Sequence, residues 1–339
     1  MSEKGMVMPH RSLSRLLALS FVIGLVVTTA PVAGAAGHSE TLYEWTELTE
    51  GVTVDNDGNI FVSNSFAGEL WKIAPGAAGP EVLATIDGIN PAAGDLGMLG
   101  LAADSDGNIY AAVNAPNGPR AHGVWKIDGD TGDAMRIRGS RHIEFPNSVA
   151  LDARGTLYVT DTVLGAVWKM GRRGMEAWAV DPLMLGTGSL GLGNPIGANG
   201  LAIVGRNVYV SVTEQASIVE IPINPDGSAG AAGIFAADGA LFAVDGIAAA
   251  ADGSIFAGII GQFSIVRVLT DGTVAPVASA AAGDEGVLDV SSVAFGTTPD
   301  TRRTLYGVNF GFLSQADFGA DPRPALVAVD TGVPGQPIP

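Results

Sequence analysis

The sequence predicts an all-β fold, a six-bladed β-propeller with four antiparallel strands in each blade. One observation is composition: 47 of the 339 residues are glycine, which favours many short strands joined by tight turns over long helices. The other is an internal repeat, in which a short apolar strand leads into a turn of the D-x-D-G-N type and then into a second strand. Repeats of about 40–50 residues that hold several strands are typical of propeller blades.

Six copies of this repeat account for six blades. The residues that open the first strand of each copy stand 49, 48, 52, 46 and 46 positions apart, and they are Glu50, Leu99, Asn147, Asn199, Asp245 and Ser291. A third and a fourth strand follow the hairpin, so that one copy holds the four strands of a blade. The near-constant spacing argues against the rival architecture, a β-sandwich.

The sixth copy lacks a fourth strand of its own. Its third strand is predicted at residues 325–329, and a tail rich in glycine and proline follows. The missing strand is predicted at residues 41–48, just ahead of the first copy. Pairing of the two ends in one blade would close the ring and leave no open sheet edge. Residues 37–339 are then a single propeller domain.

Residues 1–36 have the pattern of a secretory signal peptide. Lys4, Arg11 and Arg15 form a basic region, residues 16–27 are an apolar run of 12 residues, and small residues follow at 33–36. The run is shorter than the stretch of about 20 residues that spans a bilayer. An uncleaved N-terminal anchor is the alternative interpretation. We expect an exported protein, secreted or held in the periplasm or at the cell surface, with no membrane span after cleavage.

The charge of the chain limits its partners. Its formal net charge is −17, and a nucleic-acid partner is not expected because binding nucleic acid requires basic patches. The acidity suits a cation or a neutral or cationic small molecule. The chain has no cysteine, so disulfides, thiolate metal sites and cysteine nucleophiles are excluded.

The six residues that open the first strands are predicted to form one ring at the mouth of the central channel. We call this set the channel ring; it brings together two carboxylates, Glu50 and Asp245, and two carboxamides, Asn147 and Asn199. Buried carboxylates without cationic partners repel each other. A bound cation would relieve that repulsion, and oxygen ligands favour Ca²⁺ before Mg²⁺. The alternative is that these side chains cap strand ends or hold channel water.

Several of these segments also carry a family resemblance. The motifs are Thr49-Glu50-Gly51, Pro146-Asn147-Ser148-Val149-Ala150, Asn199-Gly200-Leu201-Ala202 and Val244-Asp245-Gly246-Ile247-Ala248. They resemble the superfamily of senescence marker protein, gluconolactonase and luciferin-regenerating enzyme, to which paraoxonases are distantly related. The resemblance spans all six copies and implies the same propeller fold.

The resemblance also implies a chemistry. In that superfamily, residues matching Glu50, Asn147 and Asp245 hold one catalytic divalent metal, which we expect to be Ca²⁺ or another divalent cation. Asn199 is the candidate fourth ligand, and the residue matching Asp245 also serves as general base. Members are mostly lactonases and related hydrolases, so the implied substrate is a small lactone or ester. This chain departs from the pattern at Leu99, where the superfamily often has a polar residue.

Loops on the same face as the ring supply candidate substrate-binding residues. Arg120 and His122 stand between the second and third strands of the second copy, and His142 enters the third copy. Asp161 stands where the superfamily often has an acid. Two other functions stay open: a non-catalytic extracellular binding propeller with a structural metal, and a lyase or condensing enzyme on the same scaffold.

Overall fold

A computed structural model describes residues 39–284, 286–311 and 323–339, and it confirms the six-bladed β-propeller. The predicted signal peptide lies outside the described residues. Blade 1 contains β2 (Thr49–Val54), β3 (Ile60–Asn64), β4 (Glu69–Ile73) and β5 (Glu81–Thr85). Blade 2 contains β6 (Gly97–Ala103), β7 (Asn108–Asn114), β8 (Gly123–Asp128) and β9 (Ala134–Arg136). Blade 3 contains β10 (Pro146–Leu151), β11 (Leu157–Asp161), β12 (Ala166–Gly171) and β13 (Gly174–Val180).

Blades 4 to 6 have the same antiparallel order, and the ring closes in blade 6. Blade 4 contains β14 (Ala198–Val204), β15 (Asn207–Val212), β16 (Ser217–Pro222) and β17 (Gly233–Ala237). Blade 5 contains β18 (Val244–Ala249), β19 (Ile255–Ile259), β20 (Ser264–Val268) and β21 (Val274–Ser279). Blade 6 contains β22 (Val290–Phe295), β23 (Thr304–Asn309), β24 (Ala325–Asp330) and, from the N-terminus, β1 (Ser39–Glu44).

The described helices are short 3-10 turns in the loops. They are Pro91–Ala93, Ser140–His142, Pro182–Met184, Thr213–Gln215, Gly239–Leu241, Ile260–Gln262 and Ala280–Ala282. None of the helices in the described ranges is long and apolar enough to cross a membrane.

The N-terminal strand closes the ring as predicted, but it ends earlier. β1 pairs antiparallel with β24 and stops at Glu44, whereas the sequence predicted a strand as far as Leu48. Trp45 turns away because its indole stacks edge-on against Trp71 of blade 1 and its Nε1 donates to Thr49 Oγ1 at 2.9 Å. The chain therefore leaves blade 6 to begin blade 1.

Local chemistry forms the turns between the first and second strands. Asp55 Oδ1 accepts hydrogen bonds from the backbone N–H groups of Asp57 at 3.0 Å and Asn59 at 2.8 Å. Asp104 and Asp152 hold the corresponding turns of blades 2 and 3 in the same way. These carboxylates bind their own backbone, which is the role of an aspartate that begins a turn.

Each hydrophobic core lies between two neighbouring blades. Leu70 of blade 1 and Met98 of blade 2 belong to one such cluster, and five further clusters join the other neighbouring pairs. No blade buries its apolar side chains alone, so the propeller is stable only as a ring.

The segment 331–339, which we call the strap, crosses the face that carries the turns between first and second strands. The backbone N–H of Gln336 donates to Ala249 O of blade 5, and Ser105 N of blade 2 donates to Pro339 O at 2.8 Å. Ile338 packs against the core between blades 1 and 2. Blades 5 and 2 face each other across the ring, and three residues of extended chain reach only about 10 Å. The strap therefore runs across the channel axis.

Candidate functional site

A β-bulge in every first strand positions the channel ring. The pairing of the first and second strands shifts register in all six blades, and each shift spans the ring residue of that blade. A bulge re-aims a side chain and interrupts regular pairing. Six bulges at one repeat phase therefore give the six ring residues equivalent positions in their blades.

Glycines next to the ring let neighbouring blades approach closely. A Cβ on Gly51 would stand 2.3 Å from Leu99 O, and one on Gly200 would stand 2.4 Å from Asp245 O. Gly100 and Gly246 make the corresponding approaches to the next blades. Ser291 Oγ completes the circle by donating to Glu50 O at 2.8 Å. Ring residues of successive blades are thus in backbone contact around the axis.

Hydroxyl groups of the second strands hold the bulged backbone. Ser63 Oγ accepts from Gly51 N at 2.6 Å, and Ser211 Oγ accepts from Gly200 N at 2.7 Å and donates to Asp245 O at 2.6 Å. Thr160 Oγ1 likewise donates to Asn199 O at 2.7 Å. These bonds satisfy buried polar groups that the bulges leave out of the sheet ladder.

Two carboxyl groups of the channel ring are buried, and the charge of one affects the other. Glu50 and Asp245 are 7% and 8% exposed. Burial raises the pKa of Asp245 to about 7, and the Asn199 side chain opposes that rise. Burial, and then the charge of Asp245, hold the pKa of Glu50 well above its usual range. Blade 6 separates the blades that carry Glu50 and Asp245.

The two asparagines of the channel ring are held in the same way. Asn147 Nδ2 donates to Thr162 Oγ1 at 3.1 Å, and Asn199 Nδ2 donates to Thr213 Oγ1 at 3.0 Å. Both asparagines are buried. Asn147 Oδ1 is buried with no hydrogen-bond partner. An amide held by its nitrogen leaves its oxygen available as a ligand.

The donor set fits a hard divalent cation. Glu50 Oε2, like Asn147 Oδ1, is a buried oxygen without a hydrogen-bond partner, and such atoms require an explanation such as an ion or water. Carboxylate and amide oxygens are ligands of the type that Ca²⁺ takes. Within the described ranges no three His, Asp or Glu side chains gather into a metal-binding group. The ring offers two acids and two amides as candidate ligands.

Two predicted substrate-binding residues have structural roles instead. Asp161 is fully buried, and its carboxylate accepts from the backbone N–H groups of Glu144 and Phe145 and from Trp168 Nε1. His122 is buried, with Ala115 N donating to Nδ1 and Ile143 O lying 2.8 Å from Nε2. Because these contacts use their polar atoms, we withdraw both residues as substrate contacts.

The other two rim residues are free to meet a ligand. Arg120 and His142 are both exposed on loops at the ring face. Arg120 lies between β7 and β8, and His142 ends the short helix Ser140–His142. Their role in substrate binding stays a prediction.

Sequence reasoning missed the role of Glu214. Its carboxylate accepts from the backbone N–H groups of Thr187 at 2.7 Å, Gly188 at 2.6 Å and Leu190 at 3.0 Å. These donors belong to the G-x-G-x-x-G segment at 186–191, an irregular loop that leads to β14. The acid thus ties this long loop to the end of β15, beside Thr213. The clustered glycines were the available indication that the backbone wraps an anion.

Comparison with known proteins rests on structure. No family model matches the chain, and no curated protein matches it. Luciferin-regenerating enzyme is similar with a TM-score of 0.65 and 15% identity, over 89% of this chain and 98% of that one. The gluconolactonase of Xanthomonas campestris has a TM-score of 0.61 and 16% identity, over 88% and 90% of the two chains.

A third similar structure is described as a calcium-binding protein, regucalcin, from Agrobacterium tumefaciens. Its TM-score is 0.65 at 17% identity, and the match covers 89% of this chain and 97% of that one. The three structures are proteins of the kind that the sequence motifs resemble. At identities below 20% their similarity shows architecture, and chemistry has to be argued from the residues present. This chain therefore has the six-bladed propeller fold shared by gluconolactonase, luciferin-regenerating enzyme and regucalcin.

Proposed function

We propose that this protein is an exported, metal-dependent hydrolase that acts on a small lactone or ester at the channel mouth. The observation that carries the proposal is the pair of buried carboxyl groups, Glu50 and Asp245, together with the unpartnered Asn147 Oδ1, all at the same repeat position of their blades. A gluconolactonase and a calcium-binding protein are among the similar structures, which supports this chemistry, and two streptogramin-type lyases among them keep the lyase alternative open. The basic and apolar pattern of residues 1–36 supports export.

The residues of the ring would have two roles, cation binding and proton transfer. Glu50, Asn147, Asn199 and Asp245 would hold the cation, and their two negative charges match its two positive ones. A bound divalent cation polarises a carbonyl and stabilises the developing oxyanion. Asp245 would also accept a proton from the attacking water, because a carboxylate at the cation site can serve as a general base.

The surroundings of the ring suit a neutral substrate. The net charge of −17 disfavours an anionic substrate and favours departure of the carboxylate product. The buried position of the ring excludes bulk water, which strengthens each electrostatic contact there. Exposed Arg120 and His142 would orient polar groups of the substrate at the rim.

A hydrolysis screen with a pH indicator tests the proposal. Lactones and aryl esters are supplied with calcium and, separately, with a chelator, and acid release is followed. We expect turnover that requires the cation and that falls at least about 100-fold in Asp245→Asn. Asp152→Asn is the matched control, since Asp152 is a buried carboxylate in a turn on the opposite face; its turnover should persist.

Two outcomes would contradict the proposal. Full activity in Asp245→Asn would remove that residue from the chemistry. A cation bound at the ring with no turnover of any lactone or ester would favour the non-catalytic binding propeller. N-terminal sequencing of the protein recovered outside the cell tests export, for which a start near residue 37 is expected.

A further inference from the structure

The side-chain amides of Asn147 and Asn199 are each held by one threonine hydroxyl. The acceptors are Thr162 Oγ1 and Thr213 Oγ1, at 3.1 Å and 3.0 Å from Nδ2. Thr162 is fully buried and Thr213 is 3% exposed. Both hydroxyls are therefore out of reach of bulk solvent, and neither threonine can rotate its hydroxyl outward without leaving the amide unpaired.

The two threonines occupy the same place in neighbouring blades. Thr162 directly follows β11, and Thr213 directly follows β15. The same place holds Ser65 in blade 1, whose ring residue is Glu50, and Ile260 in blade 5, whose ring residue is Asp245. A threonine thus follows the second strand in both blades whose ring residue is an asparagine.

Backbone contacts tie the two threonines to each other. Gly197 N donates to Thr162 O, and Thr213 N donates to Gly197 O. Thr162 N also donates to Phe145 O, and Phe145 N donates to the buried Asp161 carboxylate. The backbone that carries both hydroxyls is therefore fixed from two sides, which makes their positions well defined.

We infer that Thr162 and Thr213 are positioning residues, which hold the amide nitrogens of Asn147 and Asn199 and so leave the amide oxygens available as cation ligands. This inference rests on the proposed function, because it concerns the same cation. Neither threonine is a ligand. Without the hydroxyl, an asparagine amide is free to rotate or to turn its NH₂ group toward the axis, where it would repel a cation.

The test compares substitutions that differ only in the hydroxyl. Thr162→Val and Thr213→Val keep the shape and lose the acceptor, whereas Thr162→Ser and Thr213→Ser keep it. Calcium dissociation constants are measured by titration calorimetry on protein first treated with chelator. We expect the valine variants to bind calcium about 10–100-fold more weakly, as is typical when a residue that orients a metal ligand is removed, and the serine variants to bind within about threefold of wild type.

A matched control separates positioning from general stability. Ser140 is also fully buried, but its hydroxyl bonds only backbone groups of Val124 and Ile137, neither of which belongs to the channel ring. Ser140→Ala should lower the melting temperature with and without calcium alike and leave the calcium affinity near that of wild type. If Thr162→Val does not fold, Thr162→Ala takes its place in the test, because it removes the same hydroxyl and leaves a smaller side chain.

The outcomes distinguish this inference from the proposal beneath it. Valine variants that bind calcium as tightly as wild type would overturn the positioning role and leave the cation site intact. Serine variants as weak as the valine variants would overturn it too, because the hydroxyl would then not be the active group. Wild-type protein that binds no calcium would overturn the proposed function, and the positioning role with it.

Discussion

Replacing Asp245 by asparagine should stabilise the metal-free protein, although it removes a residue from the proposed site. The pKa of Asp245 is about 7 in the folded chain and near 3.8 without the effect of burial. The folded state therefore binds this proton more tightly than the unfolded state does. The contribution of this carboxyl group to the stability of the metal-free protein is fully present below about pH 4 and is lost as the pH rises to about 7.

The size of the effect follows from the shift. Three pKa units correspond to about 4 kcal/mol, which the wild-type protein loses by pH 8 in the absence of a cation. Asparagine carries no charge at any of these pH values and has almost the same shape. We therefore expect Asp245→Asn to be more stable than wild type by about 4 kcal/mol at pH 8 and by less than half of that at pH 5.

Chemical unfolding in the presence of a chelator measures this difference at both pH values. With calcium at pH 8 the order should reverse, because wild type gains binding energy and the variant loses a ligand. Asp161→Asn is the control: its carboxylate accepts from backbone N–H groups, so the amide should destabilise at both pH values. A metal-free Asp245→Asn protein no more stable than wild type at pH 8 would refute the reasoning.

Three further predictions concern the frame of the site. Gly200→Ala should lower stability by about 1–3 kcal/mol in thermal melts, because its Cβ would stand 2.4 Å from Asp245 O. Gly233→Ala, whose Cβ would have no atom within 4 Å, should leave stability unchanged. Removing residues 333–339 should cost about 2–6 kcal/mol in the same assay, because the four backbone bonds of the strap are lost. Glu214→Gln should speed hydrogen exchange at Thr187, Gly188 and Leu190; unchanged exchange there would contradict a tethering role.

Much of the fold is predictable because its turns depend on adjacent residues. Asp55 binds the backbone two and four residues ahead, so the turn has a local sequence pattern, which recurs in blades 2 and 3. The period of that pattern then gives the number of blades and the members of the channel ring. The end of β1 was misplaced because it depends on Trp45 meeting Trp71, a contact between different blades.

The roles of the rim acids could not be predicted in the same way. Asp161 and Glu214 look like exposed loop acids in the sequence, yet each is buried and bound to backbone N–H groups. Their donors come from connections of unequal length, at residues 144–145 and 187–190. No repeat phase relates those segments to the acids, so only the folded chain brings them together.

The strap has a consequence for access to the ring, because it spans one end of the channel axis. It crosses the axis between Ala249 of blade 5 and Ser105 of blade 2, on the face opposite the ring. For the proposed reaction, a substrate would have to arrive and its product depart through the same opening, between the loops that carry Arg120 and His142. Substrate and product would then use one opening in turn, and accumulated product should compete with incoming substrate for the site.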